Sequence, residues 1–152
     1  MMQPHERRRR MYEKEEDLRR EKEFAVELGE INGLRPIKLS TKWGLDVAMV
    51  DKHHNVKAWM EIKCRKNAST KYTDYMISLH KLLAAKRLEE LTNRPAWLAV
   101  RFVDCDLIVR LNKAPFVTMY GGRWDRDDWQ DWEPVAKIEM IHFYSIDADL
   151  TR

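Results

Sequence analysis

The stretch that decides the fold runs from residue 44 to residue 65. It reads Gly44-Leu45-Asp46-Val47-Ala48-Met49-Val50, then Asp51-Lys52-His53-His54-Asn55, then Val56-Lys57-Ala58-Trp59-Met60-Glu61-Ile62-Lys63-Cys64-Arg65. Two mainly apolar runs flank a short polar turn, which predicts a hairpin with strands at 45–50 and 56–64. On the second run Val56, Ala58, Met60 and Ile62 alternate with Lys57, Trp59, Glu61 and Lys63. A period of two puts Glu61 and Lys63 on one face. The short turn brings Asp46, at the start of the first strand, beside Glu61 on its neighbour. Two converging carboxylates repel, and a divalent cation relieves the repulsion. Hard oxygen ligands suit Mg²⁺ or Mn²⁺. Lys63 could set its ammonium beside an attacking water or the charge developing on a phosphate. Metal, water and lysine are together what phosphodiester hydrolysis needs. Read alone, Glu-x-Lys is equally the ion pair of a solvated strand face, which is worth little.

Working outward, residues 5–31 read as a helix. Its first half is a mixture of Glu, Lys and Arg, including the run Arg7–Arg10, and its apolar stripe is Phe24, Leu28 and Ile31. Asn32-Gly33 is the stop, and a strand is expected at 35–39. Downstream, 74–92 reads as one helix with Met76, Leu79, Leu83, Leu88 and Leu91 on its apolar side, ended before Pro95. An apolar strand follows at 96–103, a turn at Asp104, a partner strand at 107–111 and a last strand at 136–144. The order predicts an α/β (α+β) fold with a central mixed sheet flanked by helices. One domain spans 1–152, with a basic helical extension over 1–20 and an acidic insertion over 112–135 that carries Trp124, Trp129 and Trp132.

The composition fits this reading. A length of 152 residues, 44% hydrophobic and 35% charged, suits one globular domain. No apolar run is long enough to span a membrane, and the charged start does not look like a secretory signal. Cys64 and Cys105 form neither a disulfide framework nor a metal-ligand spacing, so a reducing cytoplasm is the expected setting. The net charge is only +3, but its distribution is uneven. Residues 42–86 hold nine Lys/Arg against four acids, whereas 123–133 hold five acids against two arginines. The basic middle suits an anionic partner, and the acidic tryptophan segment suits packing or a protein interface. His53 and His54 read as turn residues, and Cys64 as packed beside its strand.

An acid opening one strand, then (D/E)-x-Lys ending the next, resembles the PD-(D/E)XK nuclease superfamily, in particular Holliday junction resolvase-like and small phage nucleases. The motif here is Gly44-Leu45-Asp46 and Met60-Glu61-Ile62-Lys63. The likeness extends to the helix with Lys81 and to Arg94-Pro95-Ala96-Trp97-Leu98-Ala99-Val100-Arg101-Phe102, and covers about residues 20–111. Leu45 stands where the motif's name has Pro. The resemblance implies a restriction-endonuclease-like αβββαβ core and a metal-dependent DNA nuclease of phage or bacterial recombination, repair or degradation. It implies that Asp46 and Glu61, with the Ile62 carbonyl, bind Mg²⁺ or Mn²⁺, and that Lys63 assists the water. It also implies a glutamate from the first helix, where the family's approximate spacing favours Glu23, then Glu27, with Glu21 the third candidate. Lys81 is expected at the site or at the scissile phosphate, or else as a snorkelling lysine. Arg65 and Lys66, followed by Lys71, would contact phosphates. DNA is the expected partner, and a homodimer would suit symmetric cuts. Two rival readings are a non-catalytic nucleic-acid binder on the same scaffold and an interaction module acting through the acidic tryptophan segment.

Overall fold

A computed structural model describes residues 4–121 and 133–152, with side chains from residue 15 onward. Helix α1 (Pro4–Ile31) leads into strands β1 (Arg35–Lys38), β2 (Val47–Val50), β3 (Val56–Cys64) and β4 (Asp74–Ser78). Helix α2 (Leu79–Thr92) follows, then β5 (Ala96–Arg101), β6 (Asp106–Arg110), β7 (Val117–Gly121), β8 (Glu133–Glu139) and β9 (Tyr144–Ser145). Six strands form one sheet in the order β1-β2-β3-β5-β6-β9, and β4-β8-β7 form a second. In the larger sheet β3 and β5 run parallel and the other neighbours antiparallel, so it is mixed as expected. A parallel pair needs a crossover, and residues 65–95 supply it, with α2 as its helix.

The larger sheet is covered on both faces, which is why its central strands are nearly continuous apolar runs. On β5, Ala96, Leu98 and Val100 face one core and Trp97 and Ala99 the other. The first core is closed by Leu82 and Ala85 of α2 and by Tyr75, Ile77, Ala136 and Ile138 of the smaller sheet. The second is closed by Phe24, Ala25 and Leu28 of α1 and by Leu150. Leu150 is fully buried; its carbonyl accepts from Trp97 Nε1 at 2.8 Å and its N–H donates to Asn32 Oδ1 at 3.1 Å. Arg101 ties α1 to the end of β5 and the start of β6 by pairing with Glu27 and Asp106 and lying 4.4 Å over the Phe24 ring. The buried Glu89 of α2 is answered by Arg110 and by the Ala96 N–H at 3.3 Å.

The larger departures from the sequence reading lie at three places. Residues 74–92 are not one helix: 74–78 form β4, and the helix begins at Leu79. Tyr75 and Ile77 are buried with half-buried residues between them, a period of two stabilised by pairing with β8. The buried face of α2 is therefore Leu82, Ala85 and Glu89, while Leu83 and Leu91 are exposed. The last strand starts at Glu133 and ends at Glu139, followed by a 3₁₀ turn over Met140–His142 and the two-residue β9. The two ends of the region read as an insertion are the strands β7 and β8. Trp124, Trp129 and Trp132 lie outside the described residues.

Candidate active site

Asp46 sits immediately before β2, held by backbone on both sides. The Leu39 N–H donates to its carbonyl at 2.8 Å, and its own N–H donates to the Met60 carbonyl at 3.1 Å. Just upstream Gly44 has φ of +79° and ends a 3₁₀ turn over Thr41–Trp43. A Cβ at that position would meet the Ala84 Cβ at 2.6 Å, so the glycine lets α2 lie close against this corner. The Asp46 carboxylate accepts the Ile62 N–H through Oδ2 at 2.9 Å. That bond anchors the first acid to the strand carrying the second.

Glu61 projects from the middle of β3 on the face of Trp59, towards α2, and its side chain is 1% exposed. Lys81, on the first turn of α2, brings its Nζ to 3.0 Å from Glu61 Oε2. The approach is an ion pair without hydrogen-bond alignment. Burial, then the Asp46 carboxyl as hydrogen-bond partner and as a like charge, pushes Glu61 up to about 8, while Lys81 and Lys63 pull it down. The contact with Asp46 favours a proton on Glu61, since two ionised carboxylates cannot bond.

Of the three candidate glutamates of the first helix, Glu21 is the one whose carboxyl feels Lys63 and Asp46. Glu21 is half-buried, one turn before Phe24 and Ala25 on the stripe that faces the sheet. Burial raises its carboxyl; Lys63 lowers it and Asp46 raises it further, so both groups lie in its field. Glu23 is exposed, and its charge acts on Arg19 one turn back. Glu27 is taken by Arg101. The buried stripe 21, 24, 25, 28 was legible at helical spacing and was the signal for Glu21.

Asp46, Glu61, Lys63, Lys81 and Glu21 thus share one electrostatic neighbourhood along β3, with carboxyls arriving from β2, β3 and α1 and ammoniums from β3 and α2. Arg65 and Lys66 are exposed just beyond the strand. Arg65 Nε donates to the Tyr75 hydroxyl at 3.1 Å. Cys64 packs against the α1-side core, and burial raises its thiol, against a nucleophilic role. His53 and His54 are exposed turn residues, and His54 Nδ1 lies 3.1 Å from an Arg35 nitrogen.

Asp46 and Glu61 are the pair suited to a hard divalent cation, because a cation between them would relieve the repulsion by which Asp46 raises Glu61. Among the described residues no cluster of three His, Cys, Asp or Glu side chains converges for a metal. Two carboxylates completed by water suit Mg²⁺, which keeps several waters. Among the described residues no helix is long and apolar enough to cross a membrane.

No curated protein matches the sequence. Among solved structures, the chain is similar to Archaeoglobus fulgidus Hjc, a Holliday junction resolvase from an archaeal hyperthermophile, with a TM-score of 0.53 and 14% identity over 82% of this chain and 95% of that one. At that identity the likeness is one of fold. Residues 7–146 match the family described as "Phage putative PDDEXK endonuclease". That match takes in both sheets, α2 and nearly all of α1, together with the acids and lysines gathered on β3, and the chain belongs to this phage PDDEXK endonuclease family.

Proposed function

We propose that this endonuclease is a metal-dependent deoxyribonuclease that hydrolyses phosphodiester bonds of DNA with an activated water. The observation that carries the reading is Glu61: a carboxyl group 1% exposed that faces a second acid, with the Lys81 ammonium 3.0 Å from its Oε2. Two acids facing each other at a buried position repel, and a cation between them relieves the repulsion. Asp46 and Glu61, with the Ile62 carbonyl, would hold Mg²⁺ or Mn²⁺. When bound, the ion lowers the pKa of its water and screens the phosphate. Lys63 orients that water and stabilises charge developing on the phosphate. Lys81 holds Glu61 in place and meets the scissile phosphate from α2. Glu21 steadies Lys63 from the α1 side. Arg65 and Lys66 contact the flanking backbone, which positions DNA without reading its sequence.

The test is cleavage of labelled linear duplex, single strand and four-way junction DNA in Mg²⁺, Mn²⁺ or EDTA, beside Glu61→Ala and Lys63→Ala. Metal-dependent cutting that both variants lose is the expected result. Salt-sensitive binding with no cutting under either metal would make the protein a non-catalytic binder. Junction preference would support a role in recombination, and paired cuts with a dimeric elution volume would support a homodimer.

A further inference from the structure

A groove of about 560 Å³ opens where β3 ends, between the 65–73 loop and the smaller sheet. Its apolar wall is Phe102, Met76 and Met140, and its rim carries Arg65, Tyr72 and Lys137. The volume is that of a site for a drug-sized or nucleotide-sized group. Arg65 lies two residues beyond Lys63 and is bonded to Tyr75, whose hydroxyl in turn feels Glu61 and Glu21. The groove thus begins two residues along the chain from Lys63 and shares Arg65 and Tyr75 with the surroundings of the acid pair. Lys137 answers Asp74, the acid on this wall, at 3.6 Å.

The loop matches the groove in charge. Residues 65–73, Arg-Lys-Asn-Ala-Ser-Thr-Lys-Tyr-Thr, hold three cations and no acid. It is tied down: Ser69 donates to Asp104 through its N–H at 2.8 Å and its hydroxyl at 2.6 Å, and the Val103 N–H reaches the Asn67 carbonyl at 3.1 Å. Tyr72 is nevertheless 61% exposed, with Lys71 Nζ 5.3 Å from its ring centre. An outward aromatic ring on a fixed cationic loop, above an apolar wall, is the arrangement on which unstacked bases pack while cations follow their phosphates.

We propose that this groove receives an unpaired DNA segment adjoining the scissile phosphate, with a base stacked on Tyr72 and its backbone held by Arg65 and Lys71. The inference rests on the nuclease reading and adds a substrate class to it: DNA with a single-stranded arm at the cut, in preference to continuous duplex. A paired base has its faces covered by its neighbours and cannot use the ring.

The experiment measures binding in EDTA, by anisotropy, of a duplex bearing a single-stranded arm and of a blunt duplex of equal length. The proteins are wild type, Tyr72→Ala and Tyr72→Phe, each first checked for an unchanged melting temperature. Tyr72→Ala is expected to weaken arm-bearing DNA about 5- to 150-fold, the range set by one base–aromatic stack. Blunt duplex should change less than about twofold, and Tyr72→Phe should stay near wild type because the π-face is kept. A 2-aminopurine in the arm should be quenched by wild type and not by Tyr72→Ala. Equal loss on both DNAs, no arm preference in wild type, no DNA binding, or binding indifferent to Tyr72 overturns the proposal; the last would give the groove to a protein partner. Cleavage of the same DNAs in Mg²⁺, with Glu61→Gln as control, separates the two readings. Cutting without arm preference sinks the groove alone, and arm-selective binding without cutting sinks the nuclease reading alone.

Discussion

Replacing Glu61 by Gln should make the metal-free protein more stable while removing its cleavage. In the folded chain this carboxyl is pushed up to about 8 from an ordinary 4.5. Below pH 4.5 both folded and unfolded chains hold the proton, and the group costs nothing. Between 4.5 and about 8 the unfolded chain gives up its proton while the folded chain keeps it, so stability falls as pH rises. Each pH unit in that window costs about 1.4 kcal/mol, so at pH 7 the sum is about 3 kcal/mol. Above pH 8 the folded chain also ionises and the loss levels off. An amide of the same shape carries no charge and can donate to the Asp46 carboxylate, and Lys81, 32% exposed, can turn to water. Urea unfolding in EDTA at pH 4.5, 7 and 8.5 measures the effect. The variant should match wild type at pH 4.5 and exceed it by up to about 3 kcal/mol at pH 7 and up to about 5 kcal/mol at pH 8.5. Millimolar Mg²⁺ should narrow the gap by stabilising wild type alone. A variant less stable than wild type at every pH would refute the reasoning, because Glu61 would then be a satisfied partner of Lys81.

Three further outcomes follow from the geometry. Glu21→Gln should lower the cleavage rate at least about tenfold, the scale of losing a group beside a catalytic lysine, while Glu23→Gln stays at wild-type rate; single-turnover kinetics decide it, and the reverse order would restore Glu23. Lys81→Met removes a pull that lowers Glu61, so the carboxyl rises and the Mg²⁺ needed for half-maximal cleavage at pH 7 should grow by about threefold or more, easing at pH 8.5; a metal titration unchanged by the substitution counts against the pairing. Gly44→Ala forces a side chain into φ of +79° and against Ala84 at 2.6 Å. It should cost about 2 kcal/mol or more in urea unfolding, beginning from about 1–2 for the left-handed backbone alone.

The hairpin was legible because its information is local. Asp46, Glu61 and Lys63 are placed by one short turn and a period of two, and their convergence needs no distant residue to be read. Strand β4 was not legible in the same way. Asp74–Ser78 runs directly into the helix, and its alternation of Tyr75 and Ile77 acquires meaning only through pairing with β8, some sixty residues later. Strand β7 is short and mostly exposed, so its residues carry little burial pattern. The choice among Glu21, Glu23 and Glu27 depended on which face of α1 meets the sheet. The apolar stripe marks that face and Glu21 lies on it, whereas the family's approximate spacing favours Glu23. Glu27 is removed by Arg101, a residue that nothing in the first helix could announce.

The plug at Leu150 sets an order on synthesis. Leu150 is made long after helix α1, yet both line the core behind β3. Until residue 150 has emerged, Trp97 has no acceptor for its indole N–H in this core, and the apolar side of α1 lacks its last cover. Domains form from the N-terminal side during translation, but this one cannot close until translation has passed its distal segment. The sheet that presents Asp46 and Glu61 is therefore completed only on a nascent chain read through to that point. Products of premature termination should carry the whole acid–lysine set on an unsealed support, a safeguard for a cell that is making an enzyme aimed at nucleic acid.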